Sequence, residues 1–530
     1  MRMTRTGWYA ALAALLAVGC GSSSDTTGTG AGPGTGTGGA GGQGGGGGGA
    51  APLTLAPGEV AELAVDGSGV AGARLATPNG DEQFVLVLGS MKLDRSGSLH
   101  DYAIDPQSAP PAGTGSLATG CSLSNDPWSS TPLPNEPPPT GTGPTQGDIR
   151  SFDVPTSSGY ETISAQAIAV GNVAVVWGDT TAAHPANLDA AFVQQFLTDF
   201  EQIILPRERT VFGIESDVDG DGHIALVFSP LTYQTGVAFF SGCDLKDFVG
   251  CPPSNGSEIL YLTPPDAIDP PYNTANAIKE ILAHELSHMI HFNRKVLRNN
   301  LSNWADSMNM DEGVGALAQD TSGSQAGNLF VAKAGLDGID VFSLGDILVN
   351  NAPYDPSRNG PLRGGGYFFV RWLYDRAGGD QAPADGSIVS TGGPAFLRTL
   401  LDAPETIADK LPPTAGSSAE DLATDFYTTL AMSNREDIGG VAPPNGCFAF
   451  LPTATDPLTT RQRGADVYAV FFGNSMNGPV IQPAASADGS LRAGGVDYVE
   501  IDANAASPEL DFTVTIDPAA RPRVRVGRIR

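Results

Sequence analysis

The chain has 530 residues, of which 41% are hydrophobic, so it is long enough to form two or three domains with buried cores. Lys and Arg total 29 against 58 Asp and Glu, which gives a net charge of −29. A surface this acidic repels nucleic-acid phosphates and anionic lipid headgroups, so it excludes nucleic acid as a partner and favours an extracytoplasmic protein.

Residues 1–19 have the features of an export signal. Arg2 and Arg5 precede the apolar run "WYAALAALLAV", whose 11 residues are too few to span a bilayer. The run leads to Cys20, and this segment resembles the lipobox of bacterial lipoproteins. The resemblance implies cleavage before Cys20, acylation of its thiol and, from Gly21, anchoring to the outer membrane. The alternative is an ordinary signal peptide followed by an unmodified cysteine.

Half of residues 20–51 are glycine and most of the others are serine, threonine or alanine; the segment includes "GGQGGGGGG". Such a composition cannot form a core and predicts a flexible coil that reaches roughly 30 Å end to end. We expect this segment to be a tether that holds a folded body away from a membrane.

The folded body is predicted to have an α+β fold with three domains. Residues 52–158 contain strand-like runs such as "EQFVLVLG" between Gly/Pro turns, which predicts a β-rich accessory domain, a sandwich. Residues 159–437 begin with strands and continue with long helical patterns, which is typical of a sheet followed by a helical lobe. Residues 438–530 return to strand patterns and predict a second β-rich domain.

Besides Cys20, the chain has four cysteines, and an even number in an exported protein predicts two disulfides. Cys243 and Cys251 bracket the short loop "CDLKDFVGC", which favours a bond between them. This leaves Cys121 to pair with Cys447 by default. The alternative is four buried free thiols.

The segment "DVDGDG" places Asp217, Asp219 and Asp221 at alternate positions, as at the start of a calcium-binding loop. A complete EF-hand loop needs a glutamate at its twelfth position, where this chain has Phe228. The segment therefore predicts either a partial Ca²⁺ site completed by distant ligands or an acidic turn before a strand.

The segment "HELSHMIHFN" carries the strongest functional signal in the chain. His284 and His288 are four residues apart, so on a helix their imidazoles share one face, about 6 Å apart, and can bind one ion. Glu285, about 100° further round the helix, can reach a water on that ion without becoming a ligand. This H-E-x-x-H motif is typical of zinc hydrolases, and chance predicts only about 0.007 copies here. The alternative is a histidine pair in the core or in solvent.

A catalytic zinc site needs a third protein ligand and an open fourth position. The metzincin pattern fails, because His291 and Arg294 stand where it requires Gly and His. His291 lies about 10 Å along the helix from His284, too far to share an ion with both other histidines, so we expect it beside the site or in a hydrogen bond. Glu312 is followed by small residues at helical spacing, which predicts a closely packed helix that carries the third ligand.

Each ligating histidine also needs an acceptor for its second ring nitrogen. Asp311 and Asp320 are the carboxylates near enough in sequence to serve, and the sequence does not choose between them.

Three segments, "HELSHMIHFN", "DEGVGALAQD" and "GYFFVRWLYDRAG", together resemble the hyicolysin family of zinc metallopeptidases, within the broader gluzincin group. The resemblance covers roughly residues 160–435. It implies a gluzincin-like domain in which His284, His288 and Glu312 bind Zn²⁺ and Glu285 is the general base.

The sequence therefore predicts a lipid-anchored zinc endopeptidase that acts on protein or peptide substrates. Tyr367 is the predicted oxyanion donor, and its alternative role is that of a core aromatic. Two other functions stay open: a non-catalytic surface-anchored binding lipoprotein with a decayed peptidase domain, and zinc hydrolysis of a non-peptide bond. The presence of Glu285 and all three predicted ligands argues against decay.

Overall fold

The computed structural model describes most of the chain after residue 50. The predicted signal peptide, Cys20 and nearly all of the predicted tether lie outside the described residues. The described ranges are 51–106, 115–248, 251, 253–270, 272–304, 306–324, 328–349, 357–435, 443, 446–471, 474–484 and 488–530.

Strands occupy both ends of the described chain, and the longest helices lie between them. The strands are β1 (Val60–Leu63), β2 (Val70–Ala76), β3 (Gln83–Ser90), β4 (Leu99–Asp105), β5 (Ser116–Leu117), β6 (Ile149–Thr156), β7 (Gly159–Val170), β8 (Ala174–Asp179), β9 (Ile224–Phe228), β10 (Ala238–Phe240), β11 (Ile259–Leu262), β12 (Asp380–Gln381), β13 (Val389–Ser390), β14 (Ala454–Thr455), β15 (Gln462–Arg463), β16 (Val470–Phe471), β17 (Asn474–Ser475), β18 (Ile481–Pro483), β19 (Asp488–Arg492), β20 (Val496–Asp502), β21 (Glu509–Ile516) and β22 (Pro522–Arg528). The α-helices are α1 (Asp126–Ser129), α2 (Ala190–Asp199), α3 (Leu205–Val211), α4 (Ala275–Phe292), α5 (Met308–Thr321), α6 (Asn328–Asp337), α7 (Leu344–Leu348), α8 (Asn359–Arg376), α9 (Gly393–Leu401), α10 (Ile407–Ala415) and α11 (Ala419–Met432).

A six-stranded sheet in the order β10-β11-β9-β8-β7-β6 supports the helical lobe. Strand β9 runs parallel to both β8 and β11, and the other pairs are antiparallel. One face of the sheet buries aromatic residues such as Trp177 and Tyr261 in a core of its own. The other face, which includes Leu226 and Leu260, shares a larger core with the helices. Helix α4 packs on β10 and β11, at one side of this sheet.

The two ends of the chain form one β-sandwich. Its larger sheet has the order β18-β20-β3-β22-β1-β5, and its smaller sheet has the order β19-β4-β21-β2. Leu86 of the first sheet and Phe512 of the second belong to one buried apolar cluster, so the sheets share a core. On its other face, β3 presents Val85 and Val87 to the core that contains α11.

The mixed α+β class is confirmed, but the prediction of two separate β-rich domains is wrong. Strand β3, from the N-terminal side, pairs along its length with β20 and β22, from the C-terminal side. Neither segment alone supplies enough paired strands to bury a sheet face, whereas together they complete two sheets.

The predicted boundaries at 158/159 and 437/438 also need correction. Strand β6 was assigned to the first accessory domain, yet it pairs with β7 over eight positions and so belongs to the central sheet. On the C-terminal side, Arg463 forms an ion pair with Asp380, 2.9 Å between Nη2 and Oδ1. The backbone N–H of Gly464 donates to Asp320 Oδ1 at 2.8 Å. The segment around β15 therefore packs on the helical lobe.

The predicted disulfide pairing is confirmed. Cys121 bonds to Cys447 with their Cα atoms 5.3 Å apart, and Cys243 bonds to Cys251 with a Cα separation of 5.7 Å. The first bond links the segment before the central sheet to the segment after the helical lobe.

Candidate metal centre

Helix α4 holds the H-E-x-x-H motif inside the protein. Thr274 caps the helix, since its Oγ1 accepts a hydrogen bond from the backbone N–H of Ala277 at 3.2 Å. Apolar residues along the helix, such as Leu282 and Met289, are fully buried. This packing fixes the direction in which the two histidines of the motif project.

Helix α5 brings Glu312 to the histidines because two of its residues are glycines. A Cβ atom added at Gly315 would lie 2.5 Å from Cε1 of His284, and one added at Gly313 would lie 2.7 Å from the carbonyl oxygen of Gly366 on α8. Any larger side chain at either position would push the helices apart. The small residues of α5 therefore allow close packing, as predicted, against both α4 and α8.

The structure brings His284, His288 and Glu312 together as predicted. One possible ligand atom from each lies within 4.8 Å of those of the other two. The two imidazole centroids are 4.6 Å apart, and His284 Nε2 is 3.3 Å from Glu312 Oε2. Both histidines are nearly fully buried, and the Glu312 side chain is 12% exposed. These three side chains could hold a metal ion.

The second nitrogen of each imidazole faces a polar partner. His284 Nδ1 lies 3.2 Å from Gln319 Oε1, and His288 Nδ1 lies 3.0 Å from Asp311 Oδ2. The Nε2 atom of each ring is therefore the one left for an ion. Both ring nitrogens of His288 are buried without a hydrogen bond within the described part of the chain, and Nδ1 lies at ion-pair distance from Asp311.

Negative charge dominates the surroundings of these imidazoles. Burial opposes protonation of His288, but Asp311 and further carboxylates outweigh it and raise the pKa of His288 to about 10. Burial also acts to raise the pKa of Glu312, whereas Arg363 and His284 lower it to about 2. Glu312 is thus a carboxylate, the form that binds a cation.

Glu285 lies beside the three possible ligands. Its Oε2 accepts a hydrogen bond from the backbone N–H of Phe240 in β10 at 3.0 Å. Burial raises the pKa of Glu285 above its ordinary value, against the opposing charges of His284 and His288. A carboxylate with a raised pKa, fixed next to a metal site, is suited to exchange protons with a substrate or water.

His291 lies outside the candidate ligand group, in a polar pocket next to it. Its Nδ1 is 2.7 Å from Asp311 Oδ1 and its Nε2 is 3.3 Å from Asp306 Oδ2. The imidazole also packs edge-on against Trp304. Asp311 therefore contacts both His288 and His291 and connects the candidate ligands to this pocket.

Tyr367, on α8, and Asp320, on α5, contact each other. The Tyr367 hydroxyl donates to Asp320 Oδ2 at 3.2 Å, and Arg371 Nη1 lies 2.7 Å from the same oxygen. Both Tyr367 and Asp320 are buried. This contact favours the alternative role of Tyr367 as a core residue, and Asp320 orients Arg371 rather than an imidazole.

Two residues at the site were missed by the sequence analysis. Gln319 follows Glu312 by seven residues, so helical periodicity places both on one face of α5. Arg363 precedes Tyr367 by four residues on α8, and its Nη2 lies 2.8 Å from Glu312 Oε2. The available signals were the spacing of seven residues between Glu312 and Gln319 and of four residues between Arg363 and Tyr367. These spacings identify a shared helix face, but they do not show which faces of α4, α5 and α8 pack together.

The predicted calcium ligands are brought together only in part. Asp217, Asp219 and Glu258 form a second group that could hold a cation. Asp221 lies outside this group, and its Oδ1 accepts a hydrogen bond from the backbone N–H of His223 at 2.7 Å. Burial raises the pKa of Glu258 to about 7. Calcium binding stays a prediction, with Glu258 in place of Asp221.

Comparisons with known proteins assign no family to the chain. No protein-family model matches it, and no curated protein has a similar sequence.

Proposed function

We propose that the protein is a zinc-dependent endopeptidase, with His284, His288 and Glu312 as metal ligands and Glu285 as the general base. The observation that carries the proposal is the convergence of one possible ligand atom from each of these three side chains within 4.8 Å, beside a buried glutamate. Two nitrogen ligands and one carboxylate oxygen are a donor set typical of catalytic zinc. A bound zinc ion would polarise the scissile carbonyl and make water a stronger nucleophile.

In this mechanism Glu285 moves the protons. It accepts a proton from the attacking water and later delivers it to the nitrogen of the departing amine. The Phe240 N–H that donates to its Oε2 holds the carboxyl group in place. Gln319 and Asp311 orient the two imidazoles through their Nδ1 atoms.

The position of β10 favours a peptide as the substrate. Among the described strands β10 pairs only with β11, so it lies at the edge of the central sheet. Its residue Phe240 contacts Glu285. An extended peptide could add to this edge through backbone hydrogen bonds and pass beside Glu285, a mode of binding that a small non-peptide substrate would not use.

The proposal is tested by zinc analysis and protein cleavage on the same purified sample. We expect one zinc per chain, cleavage of denatured casein, loss of both after removal of the metal with a chelator, and recovery when zinc is restored. Zinc without cleavage of casein or of a mixture of denatured proteins would favour the non-catalytic binding lipoprotein. A chain that takes up no zinc would contradict the metal centre itself.

We also propose that the protein is exported and anchored by a lipid on Cys20. Among the described residues, no helix has the length and apolar character needed to cross a bilayer. The two disulfides are compatible with an extracytoplasmic location. A Cys20→Ser variant should leave the membrane fraction, and mass spectrometry of the wild-type N-terminus should find acylated Cys20. An unmodified cysteine there would contradict the anchor.

A further inference from the structure

Arg363 is a cation placed directly beside the candidate metal ligands. It lies on α8, and its Nη2 is 2.8 Å from Glu312 Oε2, which is itself 3.3 Å from His284 Nε2. The close approach of α5 and α8 fixes this position, since Gly313 leaves no room for a side chain against Gly366.

The guanidinium has donors to spare on the side of the site. An arginine carries five N–H donors, and the contact with Glu312 occupies one edge of the group. The Arg363 side chain is 14% exposed, so it is not sealed in the core. The N–H groups that do not contact Glu312 are therefore left for another acceptor beside it.

Electrostatics indicates an anionic partner for this arginine. A permanent positive charge near a divalent cation repels it and weakens metal binding, so Arg363 is costly as a mere support for Glu312. This repulsion would be offset if negative charge developed on a substrate oxygen that Arg363 contacts. Tyr367, the donor expected from the sequence, instead contacts Asp320 through its hydroxyl.

We propose that Arg363 is a catalytic residue that stabilises the oxyanion of the transition state, an inference that rests on the proposed peptidase function. Water attacks the carbonyl carbon while its proton passes to Glu285, and the π electrons of the C=O bond move onto oxygen. Arg363 donates a hydrogen bond to this oxygen and stays protonated. When the C=O bond re-forms, the C–N bond breaks and the nitrogen takes the proton from Glu285.

The test compares Arg363→Gln and Arg363→Lys with the wild type. We expect Arg363→Gln to keep one zinc per chain, with an affinity equal to or tighter than that of the wild type in a chelator competition. Its kcat should fall by about 100- to 1,000-fold, with KM little changed, and Arg363→Lys should recover part of the loss. Affinity for a phosphinic peptide, a stable tetrahedral anion, should fall in parallel.

Arg358→Gln is the matched control. Arg358 precedes α8, has a similar side-chain exposure of 17% and forms an ion pair with Asp346, away from Glu312. The Arg358→Gln variant should retain the wild-type kcat and zinc affinity.

Four outcomes would overturn the inference. Loss of zinc in Arg363→Gln would show that the arginine only supports Glu312, and a rise in KM confined to peptides with a free C-terminus would show that it binds a terminal carboxylate. If the wild type cleaves peptides and Arg363→Gln cleaves them equally well, the proposed role of Arg363 is wrong but the proposed peptidase function stands. A wild type that binds zinc but cleaves nothing would remove the proposed function together with the inference.

Discussion

Glu312 and His291 are the two side chains that sequence position offers as a third ligand, and their surroundings differ. Glu312 Oε2 lies 3.3 Å from His284 Nε2 and 2.8 Å from Arg363 Nη2. Both nitrogens of His291 are directed at carboxylates, those of Asp311 and Asp306, and its ring is fully buried. Each nitrogen of the His291 imidazole therefore lies within ion-pair distance of a carboxylate, at 2.7 Å for Nδ1 and 3.3 Å for Nε2.

We therefore predict that Glu312→Ala and His291→Ala differ in zinc binding. Glu312→Ala should weaken zinc affinity by about 100-fold or more, because it removes a ligand. His291→Ala should still bind one zinc per chain and lose only part of its activity, through the altered position of Asp311. The measurement is zinc per chain after dialysis against a weak chelator. Full zinc in Glu312→Ala with depleted zinc in His291→Ala would reverse the assignment.

At the scale of elements, the close approach of α5 to α4 determines the positions of the candidate ligands relative to one another. We predict that Gly315→Ala weakens zinc affinity by roughly 10- to 100-fold, because the new methyl group displaces the His284 ring or forces the helices apart. Gly67→Ala is the control, since a Cβ atom there meets nothing within 4 Å. Competition with a fluorescent zinc chelator measures the zinc affinity of both variants. If Gly315→Ala bound zinc with wild-type affinity, the close packing of α4 on α5 at Gly315 would not be what positions the candidate ligands.

Local patterns predicted the helices and the ligand face because helical periodicity is a property of neighbouring residues. The spacing of His284 and His288 and the small residues after Glu312 were sufficient to predict α4, α5 and the three side chains that the structure brings together. The same patterns could not identify Arg363, whose role depends on a third helix packing against the second. Composition alone also could not show which Asp or Gln would face each imidazole.

At the scale of the whole molecule, the β-sandwich joins the two ends of the chain. Strand pairing between β3 and β20 links residues more than 400 positions apart, and no local pattern specifies such a partner. The sequence therefore predicted strands on both sides of the helical lobe but separated them into two domains.

Truncation tests this shared sandwich. A chain that ends after Arg435 loses β14–β22 and should fail to fold, because β3 would lose both of its neighbouring strands and its buried face. Circular dichroism and proteolytic resistance of the truncated protein measure this. A stable truncated protein that still binds zinc would support separate domains instead.

The two disulfides should differ in their contribution to stability. Cys121–Cys447 spans 326 residues and Cys243–Cys251 spans 8. Loop-closure entropy predicts that the first bond destabilises the unfolded chain by about 6 kcal/mol and the second by about 2–3 kcal/mol. The double variant Cys121→Ser/Cys447→Ser should lower the urea midpoint more than Cys243→Ser/Cys251→Ser. The opposite order would contradict this prediction.

The most direct test of the account as a whole is the hydrolytic activity of Glu285→Gln, measured together with its zinc content. Glu285 lies beside the ligands rather than among them, so the variant should keep one zinc per chain and the wild-type fold, while kcat falls by about 100- to 10,000-fold. Glu280→Gln, a substitution at another buried position of the same helix, should cleave casein at close to the wild-type rate. Wild-type cleavage by Glu285→Gln, or loss of its zinc together with its activity, would contradict the assignment of Glu285 as the general base.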